Sequence, residues 1–171
     1  MDDEQLFKLI GELVFEFGFL ESKLGTVSHV LCGSIDQWPI FESLLPTTAA
    51  TGQKLDAIER LVNLVCSEDD KKEWFLLIQE IRGLSTSRNR IVHGAIIRED
   101  GVYKVLYGKK TKDIKESMKE FDLDLGYLKE LLDRLRSRQR QISDFIQDYR
   151  IRKGEAPEVP LSQEVHGRLR I

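Results

Sequence analysis

The sequence predicts an all-α fold, a helical bundle of four to five helices with a small β-hairpin inserted near residues 95–108. Three observations carry that expectation. Apolar residues recur at steps of three and four along several long segments, the spacing that gathers them on one face of a helix. One short stretch, "AIIREDGVYKVLYG", breaks that period with two β-prone runs joined at Asp100-Gly101. At 171 residues, 41% hydrophobic and 32% charged, the chain has the size and composition of one soluble domain able to bury a core.

The elements follow in order. From Glu4 to about Leu31, Leu6, Ile10, Leu13, Val14, Phe17, Leu20, Leu24, Val27 and Leu31 mark one long amphipathic helix. Gly11, Gly18 and Gly25 recur in it every seven residues. Such an edge lets another helix approach closely; the plainer alternative is that each glycine only weakens the helix by ~1 kcal/mol relative to alanine. "GSIDQWPIFESLLPTT" holds two prolines and reads as loop. A second helix runs from about Thr51 to Val65 on Leu55, Ile58, Leu61, Val62 and Val65. Ser67 is placed to cap a third, which starts near Asp69 with acids in its first turn and carries Trp74, Leu77, Ile78, Ile81 and Leu84 on one face. After the hairpin, a lysine-rich segment from Lys109 to Lys119 leads to a last long helix, capped by Asp122 or Asp124 and striped with Leu128, Leu131, Leu132, Leu135, Ile142, Phe145, Ile146 and Tyr149. Residues 1–153 thus form one helical domain, and 154–171, with two prolines and little periodicity, read as a flexible C-terminal tail. Trp38 and Trp74 are expected in the core.

Several classes of function fall away. A net charge of −3 argues against bulk polyanion binding, so any nucleic-acid site must be a local patch. Cys32 and Cys66 lie far apart among apolar residues and read as buried free thiols of a reducing compartment, with no CxxC or Cys/His spacing for zinc. No run approaches the ~18 apolar residues of a membrane span, and the acidic start "MDDEQLFKLI" is unlike a secretory signal. The expected location is the cytoplasm. P-loop, GxSxG, HExxH and EF-hand spacings are absent, and neither a metal nor a cofactor is expected.

One position breaks the pattern. Continuing the third helix's stripe past Ile81 and Leu84 brings Arg88 to the core-facing position, followed by Ile91 and Val92. A guanidinium there keeps its proton and needs an anionic or hydrogen-bonding partner. Glu12, Glu16 or Glu21 serve if this helix faces the first; otherwise the arginine stands at the mouth of a cleft, aimed at an external anion such as a phosphate. His93 lies five residues on, ~140° around an α-helix, so the two do not converge on one straight helix. They meet if the helix ends near His93, where Gly94 is placed to stop it, or if two copies share the site. Asn89 adds an amide able to orient either group.

"RNRIVHG", Arg88 to Gly94, resembles the R-x4–6-H motif of HEPN domains, the "higher eukaryotes and prokaryotes nucleotide-binding" superfamily of helical bundles. Four residues separate Arg88 from His93, and Asn89 stands where that family carries Asn, Asp or His. The resemblance covers roughly Gln5 to Tyr149, with the hairpin as an insertion. It implies a metal-independent endoribonuclease working as a homodimer, with the two motifs facing each other. Arg88 would hold the scissile phosphate, His93 would transfer protons during attack by the neighbouring 2′-OH, and Asn89 would position the pair. The products would be a 2′,3′-cyclic phosphate and a free 5′-OH. The chemistry fits these residue types: an imidazole titrates near neutrality, a fixed cation stabilises a transferring phosphoryl group, and a dimer supplies the second histidine that in-line cleavage calls for. The implied setting is a toxin–antitoxin or phage-defence system, with an antitoxin or immunity protein as a further partner. The tyrosine that one subgroup carries two residues after the histidine is Ala95 here, which speaks against regulation by adenylylation.

Between Arg82 and Lys119 ten Lys/Arg stand against four acids. Arg82, Arg90, Lys104, Lys109 and Lys110 are the candidate RNA contacts, against the alternative of a solvated hairpin and linker. In "RLRSRQRQ", Arg134 and Arg138 fall on one side and Arg136 and Arg140 on another, a salt-bridged helix first and an RNA contact second. His29 and His166 read as structural or exposed. For Arg88, Asn89 and His93 the rival reading is a polar clamp in a catalytically silent dimer, acting as an interaction or adaptor module or as a nucleotide-binding scaffold.

Overall fold

The structure is a computed structural model that describes residues 2–33, 49–108 and 118–154. Its elements in chain order are α1 (Asp3–Cys32), α2 (Thr51–Val65), α3 (Glu68–His93), β1 (Ala95–Glu99), β2 (Val102–Gly108), β3 (Met118–Asp122) and α4 (Leu125–Arg152). It is mainly helical, as expected, with a three-stranded antiparallel sheet in the order β1-β2-β3 where a two-stranded hairpin was expected.

Three of the four described helices start where the sequence supplies a side-chain acceptor. The Asp2 carboxylate accepts the Glu4 N–H at 3.2 Å, the Ser67 hydroxyl accepts from Asp70 at 3.3 Å, and the Asp124 carboxylate accepts from Tyr127 at 2.7 Å. Between the two capping candidates, the last helix therefore takes Asp124. Only α2 lacks a side-chain cap: Ala50 precedes it, and the Gln53 side chain reaches back to accept the Ala50 N–H at 3.1 Å.

Side-chain pairs fix the directions. Glu16 meets Arg136 and Lys23 meets Ser143, so α1 and α4 run parallel. Asp70 near the start of α3 pairs with Arg152 at the end of α4 at 2.8 Å, so α3 runs against them. Thr51 bonds Glu21, and Arg82 bridges Asp56 and Glu59, which sets α2 against α3 and beside the second half of α1. The core between the helices is built from the expected stripes, with Phe17, Leu20, Leu24, Ile58, Trp74, Ile81, Leu128 and Leu135 buried. Trp74 stands edge-on to Phe145 at 4.8 Å and 88°. Trp38 and the tail from residue 155 lie outside the described residues.

The sheet closes one end of the bundle. Asp100 (φ 50) and Gly101 (φ 80) make the two-residue turn that the sequence signals, both in the left-handed region that such a hairpin needs. The third strand was not anticipated. Met118–Asp122 is mostly polar and exposed; it pairs with β2, and Phe121 anchors it between Tyr107 and Tyr127, at 6.0 and 5.6 Å. The Asp3 carboxylate accepts the Tyr103 hydroxyl proton and lies 3.5 Å from Arg98, so the sheet holds the start of α1. Gly94 does end α3, but in extended backbone (φ −81) rather than a left-handed turn. Its glycine is required by proximity: a Cβ would press on the Arg90 carbonyl and sit 2.6 Å from Val105 Cγ1 and 2.9 Å from Leu106 O. β2 can cross the helix end that closely only over a glycine.

The heptad glycines correct one expectation. A Cβ at Gly11, Gly18 or Gly25 would find nothing within 4 Å, so among the described residues no helix of this chain packs against them. Val14, read as part of the buried stripe, is 38% exposed on that outer side.

A candidate phosphate-binding cleft

Arg88 follows Leu84 on the inner stripe of α3 and reaches the level of Phe17, with its guanidinium 5.4 Å from the centre of that ring. The three glutamates of α1 that were its candidate partners are engaged elsewhere. Glu12 and Glu16 both bind Arg136, Glu16 at 2.9 Å, and Glu21 accepts the Thr51 hydroxyl. Among the described residues Arg88 pairs with no carboxylate. One terminal nitrogen donates to the Asn89 side-chain oxygen at 2.9 Å, and its Nε is buried without a hydrogen-bond partner. A cation so placed retains donors for an incoming anion.

The space it faces is an open cleft of about 410 Å³ between α1, the start of α2 and α3. Ser85 and Asn89 share its α3 wall with Arg88; Glu21 comes from α1, and Thr51 and Lys54 from the first turn of α2. Two cations thus stand against one carboxylate, and the uncapped first turn of α2 adds the positive end of a helix dipole. Sequence reasoning found Arg88 and Asn89 but not Thr51, Lys54 or Ser85. Ser85 was within reach, three residues before Arg88 on the same face; Thr51 and Lys54 come from a separate element and give no local signal.

His93 does not line this cleft. It is the last residue of α3 and exposed. Five residues place it ~7.5 Å further along the axis and ~140° around from Arg88. The helix ends at His93, yet within one chain the arginine and histidine do not face one space.

The basic candidates divide. Arg82 is held by Asp56 at 2.6 Å and Glu59 at 3.3 Å, which raise its already high pKa, and it serves the α2–α3 contact. Lys104 lies 2.7 Å from Glu99 and 3.6 Å from Glu120, so it ties the sheet together and its pKa is raised by Glu99 first. Arg90 stacks on Tyr107 at 4.8 Å and is exposed. Lys109 and Lys110 fall outside the described residues. In α4, Arg136 binds Glu12 and Glu16, and Arg138 lies 2.5 Å from Glu80, which favours the salt-bridged reading of "RLRSRQRQ". Cys32 and Cys66 are free, as expected, but only half-buried where burial was expected; desolvation pushes both thiols up, leaving them weak nucleophiles.

Among the described residues no group of three His, Cys, Asp or Glu is placed to hold a metal ion, and no helix is long and apolar enough to cross a membrane. No family model, curated protein or solved structure matches the chain.

Proposed function

We propose that this chain is a metal-independent endoribonuclease of the HEPN type, in the setting of toxin–antitoxin or phage defence. The observation that carries the reading is the state of Arg88: a half-buried guanidinium without a carboxylate, at the wall of an open, polar cleft, inside the sequence RNRIVH. A structural arginine in a bundle takes a carboxylate, as Arg82 and Arg136 do here. Arg88 leaves that role open, and a phosphodiester fits it.

In the proposed reaction the 2′-OH attacks the adjacent phosphorus, forming the P–O2′ bond as the P–O5′ bond breaks. The hydroxyl proton passes to the one His93 imidazole at the site, and the departing O5′ takes a proton from solvent water. Arg88 balances the charge that grows on the phosphoryl oxygens. Because His93 lies away from its own chain's Arg88 cleft, the site takes its histidine from a second copy. That same separation favours the rival reading, a nucleotide-binding or adaptor dimer whose cleft holds a phosphate without cutting.

The test is an RNA-cleavage assay with end-group analysis, with and without EDTA. The expected result is a 2′,3′-cyclic phosphate and a free 5′-OH, insensitive to the chelator and abolished in folded Arg88→Ala and His93→Ala proteins. Intact RNA beside retained nucleotide binding would shift the function to the non-cutting dimer.

A further inference from the structure

Half-buried cations of this protein commonly lie against a carboxylate. Lys71, Arg82, Lys104, Arg136 and Arg138 each meet an aspartate or glutamate, at 2.5–2.9 Å. Two others do not. Among the described residues neither Arg88 nor Lys54 pairs with a carboxylate, although both are half-buried, and both line the cleft between α1, α2 and α3. Two unpaired like charges beside one cleft lose solvation and repel each other, and a bound anion offsets both costs. They stand on different walls: Arg88 on α3, where it lies over the Phe17 ring and donates to Asn89, and Lys54 on α2. Beside Lys54 are the first-turn N–H groups of α2, which no side chain caps. Among the described residues the one carboxylate of the lining, Glu21, already accepts the Thr51 hydroxyl.

We infer that the cleft holds two phosphates one nucleotide apart, one on Arg88 and the other on Lys54 with the start of α2. Its ligand is then a nucleotide phosphorylated on both sides of the sugar, the repeating unit of a nucleic-acid strand. Size favours two anions over one. At about 410 Å³ the cleft falls among those that enclose whole small molecules, roughly 300–1,000 Å³, and a single phosphate would leave most of it unfilled. The origin of the cations favours the same answer. They come from separate helices, whose axes lie about 8–10 Å apart when packed, so each is placed to meet its own phosphate. Lys54 is thereby a specificity-determining residue: it selects a phosphodiester with a phosphorylated neighbour over an isolated one. The inference rests on the reading that Arg88 binds a phosphate, but not on whether the bound strand is cut.

Calorimetric titration of the full chain at low salt with adenosine 3′,5′-bisphosphate, 3′-AMP and 5′-AMP is the test, with circular dichroism to confirm that each variant folds. Wild type should bind the bisphosphate about tenfold or more tightly than either monophosphate. Lys54→Gln should bring that ratio close to one, and Lys54→Arg, which keeps the charge, should retain most of it. Arg88→Gln should weaken the bisphosphate as well. A wild type that binds none of the three, or an Arg88→Gln protein that binds them all as wild type does, overturns the phosphate reading and the inference with it. Binding that depends on Arg88 but shows no gain from the second phosphate, or a gain that Lys54→Gln leaves intact, overturns the inference alone.

Discussion

Two arginines of the bundle show how one residue type takes opposite roles. Arg136 sits between Glu12 and Glu16, which raise its pKa and fix α4 on α1. Arg88, within the same core-facing geometry, keeps an unmet Nε and a cleft in front of it. The sequence makes Arg88 conspicuous because it interrupts an apolar stripe, and that part of the site was legible. What it does not disclose is which arginine captures Glu12 and Glu16, because that choice is made by the packing of α4, 120 residues away from Glu16. Glycines divide in the same way. Gly94 lies under β2 with backbone on two sides, whereas Gly83 is exposed in the middle of α3 with nothing near its missing Cβ. Gly94→Ala should destabilise the protein by about 1–3 kcal/mol. Gly83→Ala should stabilise it by up to ~1 kcal/mol through helix propensity alone. Urea unfolding of the two variants measures both, and a harmless Gly94→Ala would refute the close crossing.

At the scale of elements, the stripes of the four described helices and the Ser67 cap are local and could be read directly, as could the Asp-Gly turn. β3 could not: Met-Lys-Glu-Phe-Asp has little strand character, and its conformation comes from the free edge of β2 and from the ring contacts of Phe121. The contact between the start of α3 and the end of α4 depends on Asp70, whose carboxyl is held below its usual range by hydrogen bonds from Arg152 first and from Ser67. A carboxyl with a lowered pKa in the folded state contributes stability that is present in full above its unfolded value, about 3.9, and is lost as pH falls through the folded one. Melting temperature should therefore fall on acidification below about pH 4–5, and Asp70→Asn should be less stable than wild type at neutral pH while losing less on acidification. Parallel melting curves for the two proteins at pH 7 and pH 3 would contradict the ion pair.

At the scale of the molecule, the motif is continuous in sequence yet divided in space, with Arg88 in the cleft and His93 beyond it at the helix end. If the working site draws one residue from each of two copies, defects in different copies compensate. Arg88→Ala and His93→Ala proteins, each inactive, should regain about a quarter of wild-type RNA cleavage when unfolded and refolded together in equal amounts, since half the dimers are mixed and one of their two sites is whole. No recovery would place both residues in the same chain's site. The parallel pairing of α1 with α4 also has a consequence for the order of events in the cell. α1 is made first, and its largest partner is made last. At about 5–20 residues per second, a ribosome needs roughly 6–24 s to pass from Glu16 to Arg136. Throughout that interval the leucine stripe of the first helix stands without the helix that covers most of it, so its burial waits on the last helix of the described residues.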